Sequence, residues 1–142
     1  MLFRSTDPEV AAVGLTAAQA EERGIHMHTT TIDLPTSIAR PYTFQEEPRG
    51  KFGVIVDADR DVLIGAWAAA PLASEWIHTA VLAIRAEIPV AVLKDTIAQF
   101  PSFSEAIGAA LRALPSEEVH QMMDHQAHPM LSSERSDMAG AH

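Results

Sequence analysis

The sequence predicts an α+β fold, a mostly antiparallel β-sheet with helices packed on it. Three observations point there. Phe52-Gly-Val-Ile-Val-Asp57 and Val62-Leu-Ile-Gly-Ala-Trp67 are apolar, β-prone runs on either side of the polar Ala58-Asp-Arg-Asp61, the pattern of an antiparallel hairpin. Ala73 to Ile88 places Trp76, Ala80, Leu82, Ala83 and Ile84 at helical spacing, with Glu75, His78 and Arg85 between them. Helices follow the hairpin as a block instead of alternating with strands, which separates α+β from a parallel α/β sheet.

Composition bounds the rest. A chain of 142 residues suits one domain, and 47% apolar residues suffice for a packed core. A formal charge of -9 argues against nucleic acid or an anionic membrane as partner. Without cysteine there is no disulfide, no thiolate metal site and no redox-active cysteine pair within this chain. No signal peptide or apolar run of membrane-spanning length is visible, so a soluble, cytoplasmic context is expected.

Residues 1–5, Met-Leu-Phe-Arg-Ser, are expected to be a foreign or truncated start, with a genuine short gene product as the alternative. Thr6-Asp-Pro-Glu-Val-Ala-Ala-Val-Gly14 leads into Thr16-Ala-Ala-Gln19, a capping box that opens a helix to about Arg23. Gly24 suits the left-handed position that ends it. His26-Met-His-Thr-Thr-Thr-Ile-Asp33 is β-prone and alternates between faces. His26 and His28 share one face. A metal pair is conceivable there, but no third ligand stands at suitable spacing, so we read solvent-facing strand histidines.

Pro35 to Glu47 is a connector with a short helical turn expected around Ser37 to Arg40, and one anchoring aromatic, Tyr42. In the hairpin, Asp57, Asp59 and Asp61 mimic the start of a calcium loop. Such a loop needs Gly and Glu where this chain has Val62 and Ala68, so the aspartates are turn chemistry. After the long helix, in which Trp76 packs and His78 lies on the surface, Pro89 opens a helix from Val90 to Ile97. Residues 115–142 are polar with little periodicity and are expected to be a disordered tail. His120, Asp124, His125 and His128 there are at most an adventitious metal site.

The stretch Asp95-Thr-Ile-Ala-Gln-Phe-Pro-Ser-Phe-Ser-Glu105 is the organising feature. Phe100 precedes a proline, which pushes it to an extended conformation and stops the preceding helix. Ser102 and Glu105 are spaced as a capping box, with Ser102 as N-cap of a last helix from Phe103 to Leu114.

This stretch resembles the C-terminal signature of the FAD-dependent pyridine nucleotide-disulfide oxidoreductases, the family of dihydrolipoamide dehydrogenase, mercuric reductase and the soluble transhydrogenase. In that signature a His precedes the Pro, a Thr or Ser follows it, and a Glu comes shortly after. Pro101, Ser102 and Glu105 match; the His position holds Phe100. Thr6-Asp-Pro-Glu with Val13-Gly-Leu15 resembles the family's linking motif. Arg40-Pro-Tyr42 matches the Arg and aromatic before its central hairpin, and Leu63-Ile-Gly65-Ala resembles its second hairpin strand.

The resemblance covers Thr6 to Leu114 and implies the family's dimerisation, or interface, domain over residues 6–114. It implies a homodimer in which the loop at Phe100 and Pro101 lines the partner subunit's flavin. It also implies a parent that binds FAD and NAD(P) in upstream domains and acts in cell redox homeostasis. No Gly-x-Gly-x-x-Gly follows a strand here, so this chain alone is expected to bind neither cofactor. In the family the His is the acid–base of the disulfide reaction and the Glu orients it. With Phe100 in that place, Glu105 holds the dyad position but is expected to act only as a cap, and the parent is expected to reduce a non-disulfide acceptor. The alternative is a free-standing, non-enzymatic α+β module that dimerises; a metal-handling protein using the His-rich tail is a weaker third reading.

Overall fold

The structure, a computed structural model, describes residues 6–115. Met1 to Ser5 and the stretch after Pro115, with His120, Asp124, His125 and His128, lie outside the described residues.

The element order is β1 (Glu9–Gly14), α1 (Ala17–Glu22), β2 (Met27–Asp33), α2 (Leu34–Ser37), a 3-10 turn (Arg40–Thr43), β3 (Lys51–Asp57), β4 (Val62–Ala70), α3 (Ala73–Trp76), α4 (His78–Arg85), α5 (Val90–Asp95) and α6 (Glu105–Arg112). The strands form one four-stranded sheet in the order β1-β4-β3-β2, antiparallel throughout. The α+β fold class expected from the sequence is the one found.

The hairpin of β3 and β4 is the centre of the sheet. At its tip the Asp57 carboxylate accepts from the backbone N–H groups of Asp59 (3.0 Å) and Arg60 (3.1 Å), which closes the turn. The tip is also fastened to the corner between α4 and α5. Arg60 pairs with Glu87, Val62 bridges to Pro89, and the Val90 N–H donates to the Asp61 carbonyl at 2.9 Å.

The register slips between Ile55 and Val56 of β3, and the extra residue is Ile64 of β4, which has no partner on β3. The Ile64 carbonyl instead accepts from Leu15 N–H at 2.8 Å, where β1 leaves the sheet. Gly65 is required at this crossing, because a Cβ there would stand 2.0 Å from the Leu15 carbonyl oxygen.

One face of the sheet carries the core. Phe52, Val54, Val56, Leu63, Ala66, Ala68 and Ala70 meet Trp76, Ala80, Ala83, Ile107, Ala110 and Leu111 of the helices. Phe52, Leu34, Leu63 and Leu111 are the largest side chains fully out of water. Alanines on both layers let helices and sheet approach closely, which suits the dense packing of protein interiors. On the opposite face the Trp67 indole lies over Gly53, whose absent Cβ would be 2.2 Å from the indole nitrogen.

Several boundaries differ from the sequence expectation. Glu9–Gly14 is a strand, added to the sheet edge against β4, where the sequence showed only a linking motif. The helix expected over Ala73 to Ile88 is broken at Ile77 and ends at Arg85. The buried residues are Ala73, Trp76, Ile77, Ala80 and Ala83, whereas Leu82, placed on the apolar stripe, is 65% exposed. Within α4 the buried positions are Ala80 and Ala83, whose small side chains let the helix approach the alanine-rich strand β4. Helical turns fall on both sides of the expected Ser37 to Arg40, and Pro41 rather than the exposed Tyr42 anchors the connector.

Candidate functional site

The chain reverses between α5 and α6 through the corner Thr96 to Ser104. α5 ends at Asp95, two residues short of the expected Ile97, because Thr96 turns extended (φ -72°, ψ 125°) and folds back on the helix. Its Oγ1 donates to the Val92 carbonyl at 2.7 Å and its backbone N–H does so at 3.0 Å. Ile97 then stands almost wholly in solvent at 95% exposure, and Phe100 is 67% exposed. The Phe100-Pro101 peptide bond is cis, and Pro101 is exposed.

The capping box expected at Ser102 and Glu105 is half formed. The Glu105 carboxylate accepts from the Ser102 N–H at 3.0 Å, but the Ser102 hydroxyl is buried without a partner among the described residues. The helix begins at Glu105 and stops at Arg112, with Ser104 in the N-cap position and making no side-chain cap, so Ser102 does not cap it and Glu105 is its first residue instead of its third. The physical reason is Phe103. Its ring is buried at 4% exposure and stacks on Trp76, with centroids 5.7 Å and planes 15° apart. Docking that ring commits Phe103 and Ser104 to a turn closed by the Ala106 N–H to Phe103 carbonyl bond (3.0 Å). The Arg40 guanidinium lies 5.9 Å from the Phe103 ring centre and Phe44 meets it edge-on at 6.3 Å. An aromatic column thus fixes the inner side of the corner, while Ile97, Phe100 and Pro101 face outward.

Beside the corner lies a groove of about 590 Å³ between α5 and α6, lined among others by Leu93, Lys94, Ile97, Phe100, Glu105 and Arg112. Arg112 reaches across it to the Lys94 carbonyl at 3.4 Å. The sequence reading missed this groove. No local signal marked it, because the sequence pattern places Ile97 inside a helix that in the structure ends at Asp95.

Chemically the corner is poor in proton carriers. Phe100 has none, and the Glu105 carboxylate is engaged by the Ser102 N–H. The histidines among the described residues lie elsewhere. His26 Nδ1 is 3.2 Å from Asp59 Oδ1, the His26 and His28 rings meet edge-on at 5.5 Å, and His78 Nδ1 is 3.1 Å from the Ser74 carbonyl. Among the described residues no group of three or more His, Cys, Asp or Glu stands close enough to hold a metal ion, and no helix is long and apolar enough to cross a membrane. At the far end of the sheet the Glu9 carboxylate accepts from the Ser74 N–H (3.0 Å) and hydroxyl (2.9 Å), and these bonds hold its pKa below the ordinary carboxylate range.

Comparison with known proteins covers most of the chain. The model of the pyridine nucleotide-disulphide oxidoreductase dimerisation domain matches residues 3–111. A dihydrolipoyl dehydrogenase of Haloarcula marismortui is 35% identical over 115 residues, spanning 81% of this chain and 24% of that protein. A mercuric reductase of Shigella flexneri is 38% identical over 111 residues, 76% of this chain and 18% of that protein. Among solved structures, LpdA from Mycobacterium tuberculosis superposes with a TM-score of 0.68 at 33% identity, over 75% of this chain and 23% of that one. The HOCl-induced flavoprotein disulfide reductase RclA from Escherichia coli does so at 0.70 and 27%, over 75% of this chain and 24% of that one. The chain thus spans about a quarter of the length of these relatives or less.

Proposed function

The chain belongs to the pyridine nucleotide-disulphide oxidoreductase family, as its dimerisation domain, and from that premise we propose that it serves as the pairing module of an FAD-dependent NAD(P)H oxidoreductase whose acceptor is not a disulfide. In this reading residues 6–114 are the dimerisation domain, and the FAD and NAD(P) sites lie in other domains of a longer parent. This chain alone is not active.

The single observation behind the acceptor is Phe100. In the family signature an acid–base His stands before the proline; here the side chain in that place is a phenyl ring, 67% exposed at the tip of the corner. A positioned acid–base typically contributes about 10²–10⁴ in rate, and a phenyl group contributes none of it. Glu105 is turned back on its own chain, where its Oε2 accepts from the Ser102 backbone N–H, and in this reading it does not replace the missing imidazole. It remains a structural cap in the dyad position.

The corner fits a flavin of the partner subunit in one respect: Phe100 and Pro101 present exposed apolar surface with no buried charge to desolvate. Phe100 and Pro101 would line that ring system, and FAD would relay hydride from NAD(P)H to the acceptor. Their contribution is apolar surface that holds no proton, which suits a second nicotinamide, since it takes up hydride alone; a quinone or dye would draw the proton of its reduction from solvent, and a disulfide would lack the family's acid–base.

The test is the full-length parent, with the FAD and NAD(P) domains restored. It should reduce quinones or nicotinamide analogues with NAD(P)H and reduce lipoamide at a small fraction of that rate. Brisk lipoamide turnover would sink the proposal.

A further inference from the structure

His26 and His28 stand on the face of the sheet that the helices cover. Side chains alternate along a strand, so the pair shares that face with Thr30 and with Ile32 of the core. His26 precedes β2 but keeps its ladder, because the Ala58 N–H donates to the His26 carbonyl at 2.8 Å. The two rings meet with centroids 5.5 Å apart. Two imidazoles that share one tetrahedral ion, each at about 2.0–2.1 Å, hold their ring centres roughly 5 Å apart, so the observed spacing is close to that of a ligand pair. Asp59 supplies an orienting group. Its Oδ1 lies 3.2 Å from His26 Nδ1. A carboxylate oxygen only accepts, so Nδ1 carries the proton and Nε2 presents the lone pair.

Among the described residues no third ligand joins the pair. The path of the chain brings others within reach. α6 packs beside α2, which follows the C-terminal end of β2, and its far end meets β2 in mid-strand, where Thr30 Oγ1 donates to the Ala113 carbonyl at 3.4 Å. The helix therefore runs against β2. The chain leaves it on the histidine face, directed to the half of the strand that holds His28 and His26. From Thr30 to His28 is about 7 Å along the strand. From Pro115 to His120 an extended chain spans up to about 17 Å, and His125 and His128 follow.

We propose that His26 and His28 hold a divalent transition-metal ion of the zinc class, His26 through Nε2, and that an imidazole of residues 116–142 completes the site and ties that segment to the sheet. Ring nitrogens backed by a carboxylate suit zinc, nickel or copper, whereas magnesium and calcium take oxygen ligands. The site is remote in the sequence from the corner at Phe100, and the proposed function does not depend on it.

Calorimetric titration of the complete chain, free of any histidine tag, with Zn2+ alone is the test. One ion per chain should bind at micromolar concentration. His26→Ala, His28→Ala and Asp59→Ala should each weaken binding about 10-fold or more, the loss usual for ligands and their orienting partners. His120→Ala, His125→Ala and His128→Ala combined should do the same. Adding His28→Ala to that triple variant should cost less than the two effects multiplied, because both sets serve one site. His78→Ala, whose ring lies 3.1 Å from the Ser74 carbonyl, should leave affinity unchanged. His26 and Asp59 are exposed and His28 is half-buried, so unchanged circular dichroism is expected and identifies any unfolded variant. A chain that binds no Zn2+ overturns the inference. Binding that His26→Ala and His28→Ala leave intact also overturns it, by placing the ion on residues 116–142 alone. So does binding that the triple variant leaves intact, which would place the ion on the strand pair alone.

Discussion

The indole of Trp76 and the ring of Phe103 lie nearly parallel, 15° apart with centroids separated by 5.7 Å. They are 27 positions apart in sequence, and their contact joins the helix after the hairpin to the corner before the last helix. Trp76 is braced in turn by Phe52 at 5.3 Å and by its own N–H, which donates to the Pro71 carbonyl at 3.1 Å. The outward pose of Phe100 and Pro101 depends on this inward anchor two residues on. Phe103→Ala should destabilise the chain by about 3–5 kcal/mol, the usual loss for a buried aromatic ring. Urea unfolding followed by Trp fluorescence measures it. Phe103→Leu should cost less, because it keeps most of the volume.

Gly65 admits no side chain. Its missing Cβ would sit 2.0 Å from the Leu15 carbonyl oxygen and 2.9 Å from Ile55 Cδ1. The first of these is backbone and cannot swing away. Gly65→Ala should cost about 3 kcal/mol or more by forcing β1 from β4. Gly24→Ala is the informative comparison: its Cβ would meet nothing within 4 Å, so only its positive φ of 68° is strained. The two thermal melts should differ clearly.

Glu9 ties the edge strand to the start of α3 through Ser74. These bonds lower the Glu9 pKa in the folded state. A group with a depressed folded pKa contributes stability that is present above its unfolded value, near pH 4.5, and lost as pH falls through the folded value. Wild-type stability should therefore fall as pH drops below 4.5 with a component that Glu9→Gln lacks. Urea midpoints measured across that range check it; parallel curves for the two proteins would refute it.

Glu105 and Ser102 should respond oppositely. Glu105→Ala leaves the Ser102 N–H without its acceptor and should cost about 1–3 kcal/mol. Ser102→Ala removes a buried hydroxyl that has no partner among the described residues, and should be neutral or stabilising by up to about 1 kcal/mol. Chemical denaturation of both variants resolves the sign.

Local chemistry made much of this protein legible in advance. Thr16 and Gln19 form the reciprocal cap their spacing required, at 3.1 and 2.9 Å, and Gly24 takes the left-handed turn after it. The hairpin and its Asp57 turn follow the residue pattern directly. What local pattern could not show depends on partners far along the chain. Val10-Ala-Ala-Val13 has no strong strand signal; it becomes β1 because β4 offers an unpaired edge. Leu82 and Ala83 are equally apolar in the pattern, and only close packing against the sheet selects the alanine.

The sequence by itself determined the α+β class, the capped helix, the central hairpin and the absence of a proton carrier at Phe100, since propensity, caps and side-chain chemistry act over a few neighbouring residues. The tertiary structure decided where α6 begins, which half of the Ser102–Glu105 cap survives, and that Ile97 stands beside an open groove. The first two follow from docking Phe103 onto Trp76, a contact between distant segments that exists only once the core has closed; the third follows from the turn of Thr96 back onto Val92.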